Sequence, residues 1–126
     1  TNLVRDALAH YWGGPKLSDS PLLGLKSVKR IRDSQGISPT KALQLVLRQA
    51  IDNTRPNPEM VSLSSSESLL YNILDLRFIQ GRKIRDTADR LALSESDLYR
   101  KQRVAIDEVA RQLTLMEEQQ ITAHQE

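Results

Sequence analysis

Apolar residues recur at three- and four-residue intervals through most of this chain and almost nowhere at every second residue. That period marks amphipathic helices, because 3.6 residues complete a turn and bring i, i+3, i+4 and i+7 onto one side. No apolar run is bracketed by a hairpin dipeptide such as Asn-Gly. The chain is therefore expected to be all-α, an orthogonal bundle of about six helices. Its 126 residues are one domain's length, enough to hide roughly two-thirds of the unfolded surface without a covalent staple. With one Trp, three Tyr and one Phe, the core falls to Leu, Ile, Val and Ala.

Composition narrows the chemistry. There are no cysteines, so disulfides, thiolate metal sites and cysteine nucleophiles are excluded. The two histidines, His10 and His124, are far apart in sequence, which argues against a metal site, and no cofactor is expected. Lys plus Arg number 18 and Asp plus Glu 16, a net charge of +2. Any case for nucleic-acid binding must rest on where the charges sit, not on their sum. No apolar run approaches the roughly 18 residues that span a bilayer, and no signal-peptide pattern opens the chain. An intracellular, cytoplasmic chain is expected. The missing initiator methionine fits a piece of something longer, a processed start or a tag remnant.

Punctuation divides the chain into helices. The first is expected over about 2–12, with Leu3, Ala7, Leu8 and Tyr11 inward and Gly13-Gly14-Pro15 as its stop. Ser20-Pro21 opens a second helix, serine capping and proline at the first position. Leu22, Leu25, Val28 and Ile31 line it, and Gly36 closes it. Ser38-Pro39 opens a third, carrying Leu43, Val46, Leu47, Ala50 and Ile51 to about Asn53. Arg55-Pro56-Asn57-Pro58 should be extended, since each proline disfavours helix before it. The serine-rich stretch 62–68 is either a linker or a loop in one bundle. As a linker it divides an N-terminal subdomain, 1–61, from a C-terminal one, 62–126. Residues 116–126 are polar and are expected to be a frayed helix end or a disordered tail.

Residues 69–113 carry the most information. A lead helix holds Leu69, Leu70, Ile73, Leu74 and Phe78 and ends at Gly81. A short helix follows from about Arg82 to Leu91, with Ile84, Ala88 and Leu91 inward. After Ala92-Leu93-Ser94 a third helix begins, with Ser94-x-x-Asp97 as a capping-box pattern. A short helix, a tight turn and a capped helix are the pattern of a helix-turn-helix. Ala88 is small where a crossing helix would pack, Leu93 sits in the turn, and Leu98 fits the gap between the helices. The stripe Ile106, Val109, Ala110, Leu113 and Met116 continues toward Glu118. It would pack on the N-terminal half or form a homodimer seam.

The segment GRKIRDTADRLALSESDLYRKQRVAI resembles the helix-turn-helix of region four of bacterial sigma factors and the similar modules of quorum-sensing-type regulators. Leu91-Ala92-Leu93-Ser94 stands where those families often carry Leu-Gly-Ile-Ser. The resemblance covers about 45 of the 126 residues. It implies a DNA-binding, transcription-regulatory domain whose recognition helix, about 95–105, enters the major groove. Glu95, Ser96, Asp97, Tyr99, Arg100 and Arg103 would then face the groove. Arg100 and Arg103 would fork onto guanine edges or grip phosphate. Arg82, Lys83 and Arg85 would clamp a phosphate strand from the start of the support helix. Double-stranded DNA is the implied partner, with RNA polymerase or another protein beside it. Two features depart from the family: acidic Glu95 and Asp97 at the helix tip, and Lys101 and Gln102 where an apolar side chain usually packs.

Two other readings stay open. One is a protein-interaction or assembly domain that keeps the helix-turn-helix shape without DNA. The other is the N-terminal piece of a larger ATPase or kinase. An enzyme is not expected. Asp86, Asp89 and Glu95 read as caps and surface pairs, and Asp107-Glu108 with Arg111 as a helix-surface pair. His10-Tyr11-Trp12 reads as a packed aromatic cluster. Gly13-Gly14-Pro15 is not a phosphate loop, since no lysine-serine or lysine-threonine pair follows it and no strand precedes it, and Ser62 to Ser68 has no partner base.

Overall fold

The computed structural model describes residues 2–55 and 66–124. The described residues are all-α, with no strand among them. In chain order the helices are α1 (Asn2–Ala9), α2 (Pro15–Ser18), α3 (Lys26–Gln35), α4 (Pro39–Asn53), α5 (Ser66–Leu74), α6 (Ile84–Leu91) and α7 (Glu95–His124). A 3₁₀ turn, Pro21–Gly24, precedes α3, and a π turn, Asp75–Ile79, extends α5. The proline-rich stretch after Arg55 and most of the serine-rich stretch lie outside the described residues.

Several local expectations need correction. The first helix stops at Ala9, and Tyr11 and Trp12 lie in the turn after it. Its inner face is Val4, Ala7 and Leu8, followed by Tyr11, while Leu3 is half exposed. Gly13 and Gly14 take φ of 144° and 127°. A Cβ on Gly14 would stand 2.9 Å from the His10 ring, so this turn requires glycine twice over. Pro15 then starts a helix where a plain stop was expected, because its locked φ suits a first helical position. Its buried residue is Leu17.

The expected second helix is two elements. Ser20 Oγ accepts from the Leu22 amide at 3.1 Å, but the turn it caps runs only to Gly24. Leu25 is extended, and α3 starts afresh at Lys26. Glycine weakens the helix at the break, and the new N-terminus has a distant cap. The Glu117 carboxylate of α7 accepts from the Lys26 amide at 2.9 Å, the Ser27 amide at 2.8 Å and Ser27 Oγ at 3.0 Å. Gly36 closes α3 in the left-handed conformation, its amide donating to the Arg32 carbonyl. Ser38 caps α4 through the Lys41 amide as its Ser-Pro signal predicts.

Of the two expectations for the tail, the structure has the helical one. Residues 116–124 continue α7, which runs for 30 residues. Glu117 on α3, together with Arg30 Nη1 donating to Gln120 Oε1 at 3.3 Å, gives these polar turns the partners that a solvated tail would lack.

Two buried clusters hold the molecule. The larger joins α1, α2, α3 and α4 to Leu74, Phe78, Ala105, Ile106, Val109 and Leu113. Leu43, Val46 and Leu47 of α4 have no accessible surface. The stripe on α7 is therefore spent on the N-terminal elements. The smaller cluster is Ile73, Ala88 and Leu98, edged by Leu69, Ile84, Leu91 and Leu93. It ties α5, α6 and the first turns of α7 together.

Between α6 and α7 the chain reverses at Ala92, a left-handed residue at φ 56°. The Leu93 amide donates to the Ala88 carbonyl at 2.9 Å, closing the helix end. A side chain in this conformation costs roughly 1–2 kcal/mol, and glycine costs part of that back through unfolded-state entropy. Ala92→Gly is expected to raise stability by about 0.5–1 kcal/mol, read as a higher urea midpoint at unchanged slope.

Candidate nucleic-acid interface

Ser94 sets the start of α7. Its Oγ accepts from the Asp97 amide at 3.1 Å, one half of the capping box. The Asp97 carboxylate turns outward and takes the Arg100 guanidinium. Leu98 points the other way and is fully buried. With Leu98 and Ala105 inward, the helical period puts Ser96, Tyr99, Arg100 and Arg103 on the outer side. All four are exposed, Tyr99 by 55% and Val104 beside them by 55%. Glu95 is exposed at the tip. Tyr99 and Arg103 lie about 6 Å apart along the axis, close to two base-pair steps of about 3.4 Å each.

The three cations expected at the support helix divide. Helix α6 begins at Ile84, not Arg82, so Arg82 and Lys83 lie ahead of it and Lys83 occupies the N-cap position. Arg82 is committed elsewhere: Nε donates to Gln80 Oε1 at 2.8 Å and Nη1 to Asp86 Oδ2 at 3.0 Å. Arg90 reaches the same Asp86 oxygen at 3.4 Å. Lys83 and Arg85 are exposed and form no ion pair with a described residue. Arg103 is exposed as well. Among the described residues the arrangement thus offers Lys83, Arg85 and Arg103 as exposed cations, and two arginines already neutralised in part, Arg82 and Arg100.

The acids stay charged. A hydrogen bond from Arg82, with the nearby Arg90, holds the Asp86 carboxyl below the usual aspartate range against slight desolvation. The hydrogen bond from Arg100, and then its charge, does the same for Asp97. The Arg100–Asp97 pair is exposed, so a phosphate exchanges for that carboxylate at small cost, while the Arg82–Asp86 pair is half-buried.

Lys101 and Gln102, which depart from the family pattern, are half-buried. Gln102 Oε1 accepts from Arg77 Nε at 2.9 Å, a polar bridge to the π turn at the position where the resembled families usually pack an apolar side chain. Sequence reasoning missed this pair. The signal available was a polar residue at an inward helical position, matched by a basic one on the lead helix. The aromatic cluster at Tyr11 and Trp12 is half right: the rings meet edge to face at 5.0 Å, but Trp12 is 69% exposed. Its indole donates to the Ile79 carbonyl at 2.8 Å.

Among the described residues, no three His, Asp or Glu side chains are grouped to hold a metal ion. No helix is long and apolar enough to cross a membrane. No known protein family, curated protein or solved structure matches this chain.

Proposed function

We propose that the chain is a DNA-binding, transcription-regulatory domain. In this reading α5, α6 and the start of α7 form a helix-turn-helix like that of sigma-factor region four. Helix α7 enters the major groove with Ser96, Tyr99, Arg100 and Arg103, while Lys83 and Arg85 grip a phosphate strand. The carrying observation is the left-handed turn at Ala92, which leaves Leu98 sealed while Tyr99, Arg100 and Arg103 stand in solvent. The N-terminal elements pack on a different side of α7, through Ala105, Ile106, Val109 and Leu113, and leave that face open. The reading carries with it a bacterial cytoplasmic setting and RNA polymerase as a second partner.

Anisotropy titrations of a random duplex across salt concentrations test it. Lys83→Ala and Arg85→Ala should each weaken binding on all sequences and reduce the salt slope by about one. Arg103→Ala should cost about 1–2 kcal/mol on a preferred site. Unchanged low-salt affinity in the Arg100→Ala and Arg103→Ala variants would sink the reading. The assembly-domain alternative would then stand. It is favoured by the partial neutralisation of Arg82, Arg90 and Arg100 by Asp86 and Asp97, with Val104 exposed among them.

A further inference from the structure

We propose that Arg77 is a positioning residue. It holds the Lys83–Arg85 segment and the Tyr99–Arg103 segment at one spacing, and that spacing makes this face prefer a DNA duplex to a single strand. The inference rests on the nucleic-acid reading above.

Arg77 lies in the π turn between α5 and α6. Its Nε donates to Gln102 Oε1 on α7 at 2.9 Å, and its Nη1 donates to the Arg82 carbonyl at 2.5 Å, just ahead of α6. One planar guanidinium thus spans the two segments that would touch DNA. The fork is itself anchored. The guanidinium sits 5.9 Å from the ring centroid of Phe78, which is buried in the larger cluster. The far end of the same turn is pinned by the Trp12 indole on the Ile79 carbonyl. Trp12 in turn adjoins Tyr11, whose carbonyl accepts from Gln44 Nε2 of α4 at 2.6 Å.

Both acceptors of Arg77 are neutral, and no described carboxylate pairs with it. Burial pulls its pKa below the usual arginine range, with the nearby Tyr99 opposing. Holding a half-buried cation on neutral acceptors is a poor way to gain stability. It is a good way to fix geometry, because the guanidinium fork has a rigid shape that lysine lacks. A duplex presents its phosphates and base edges at set separations, so a rigid pair of contact segments meets it without ordering cost. A single strand bends to any arrangement of charge and aromatic surface and gains nothing from that rigidity.

Two substitutions separate shape from charge. Arg77→Lys keeps the charge and loses the fork, and Gln102→Met removes the acceptor and leaves the charge untouched. Each is expected to lower duplex affinity about tenfold. Each should leave single-strand affinity and the duplex salt slope near wild type. Two results would overturn the proposal. In the first, Arg77→Lys binds like wild type while Arg77→Gln loses affinity and about one unit of salt slope; Arg77 is then a phosphate contact. In the second, both variants melt earlier but, well below melting, keep the wild-type duplex-to-single-strand ratio; the tie is then structural only. A wild-type chain that binds no nucleic acid overturns the proposal together with the reading beneath it. That failure is distinguished by amide-and-guanidinium exchange: a slowly exchanging Arg77 Nε–H lost in Gln102→Met reports the tie whether or not DNA binds.

Discussion

Leu98→Ala is expected to lower the unfolding free energy by about 3–4 kcal/mol. Leu98 is fully buried, and among the described residues it shares its cluster with two other buried side chains, Ile73 and Ala88. The neighbours that could move into the gap, Leu69, Ile84, Leu91 and Leu93, are already at the edge of the cluster. Further along α7, Ala105, Ile106, Val109 and Leu113 are locked into the larger core, so the helix cannot slide to close the cavity. Little relaxation places the cost in the upper part of the usual Leu→Ala range. The loss should be local in character: amide exchange in α6 should rise more than in α4, whose buried face lies in the other cluster. Urea melts and exchange measured together check this. A cost below about 1 kcal/mol would mean that α6 does not pack on α7 as described.

Glu117→Ala should cost about 2 kcal/mol, roughly one for the lost cap and one for the Ser27 hydroxyl left without its acceptor. Ser27 is buried, and Glu117 accepts from its amide and its hydroxyl as well as from the Lys26 amide. Thermal melts of the full chain read the effect. The same carboxylate gives a pH dependence of definite sign. Partial burial pushes its pKa up, but hydrogen bonds from Ser27 and Lys26 outweigh that and leave it below the ordinary glutamate value of 4.5. A carboxyl depressed on folding binds its proton more readily in the unfolded chain. Its contribution is therefore fully present above about pH 4.5 and is lost as pH falls through the folded value. Glu117→Gln should flatten the acid limb of the stability curve, read from urea melts across pH.

Much of the fold was legible because local signals and burial agree in it. Ser38-Pro39 opened a helix, Gly36 closed one, and Ser94 began another. In each case the serine oxygen or the left-handed glycine meets a need that arises within four residues. The inward positions of α4 were legible for the same reason, since its apolar period is unbroken from Ala42 to Ile51. The first helix was harder. Leu3 and Val4 are adjacent apolar residues, and only the packing of Val4 into the larger cluster decided which one faced in.

The candidate site was legible in part. Tyr99, Arg100 and Arg103 share a face by helical geometry alone, and the exposure of that face follows once Leu98 is buried. The partners of the charges were not legible. Asp86 drawing in both Arg82 and Arg90, and Arg77 spanning α6 and α7, depend on where α6 starts and how the π turn delivers Arg77. A π turn inserts one residue into the helical count and rotates everything after it, which no periodicity argument over the lead helix anticipates.

The all-α class, the Ser-Pro and glycine boundaries and the outward face of Tyr99, Arg100 and Arg103 were written in residue order, because helical period and capping act over four residues or fewer. The split at Gly24–Leu25, the helical continuation to His124 and the bridge from Arg77 to Gln102 were decided by tertiary structure. Each depends on a partner brought close by folding or by the exact start of a helix. Glu117 meets Ser27 across 90 residues of chain, and no local propensity carries that distance.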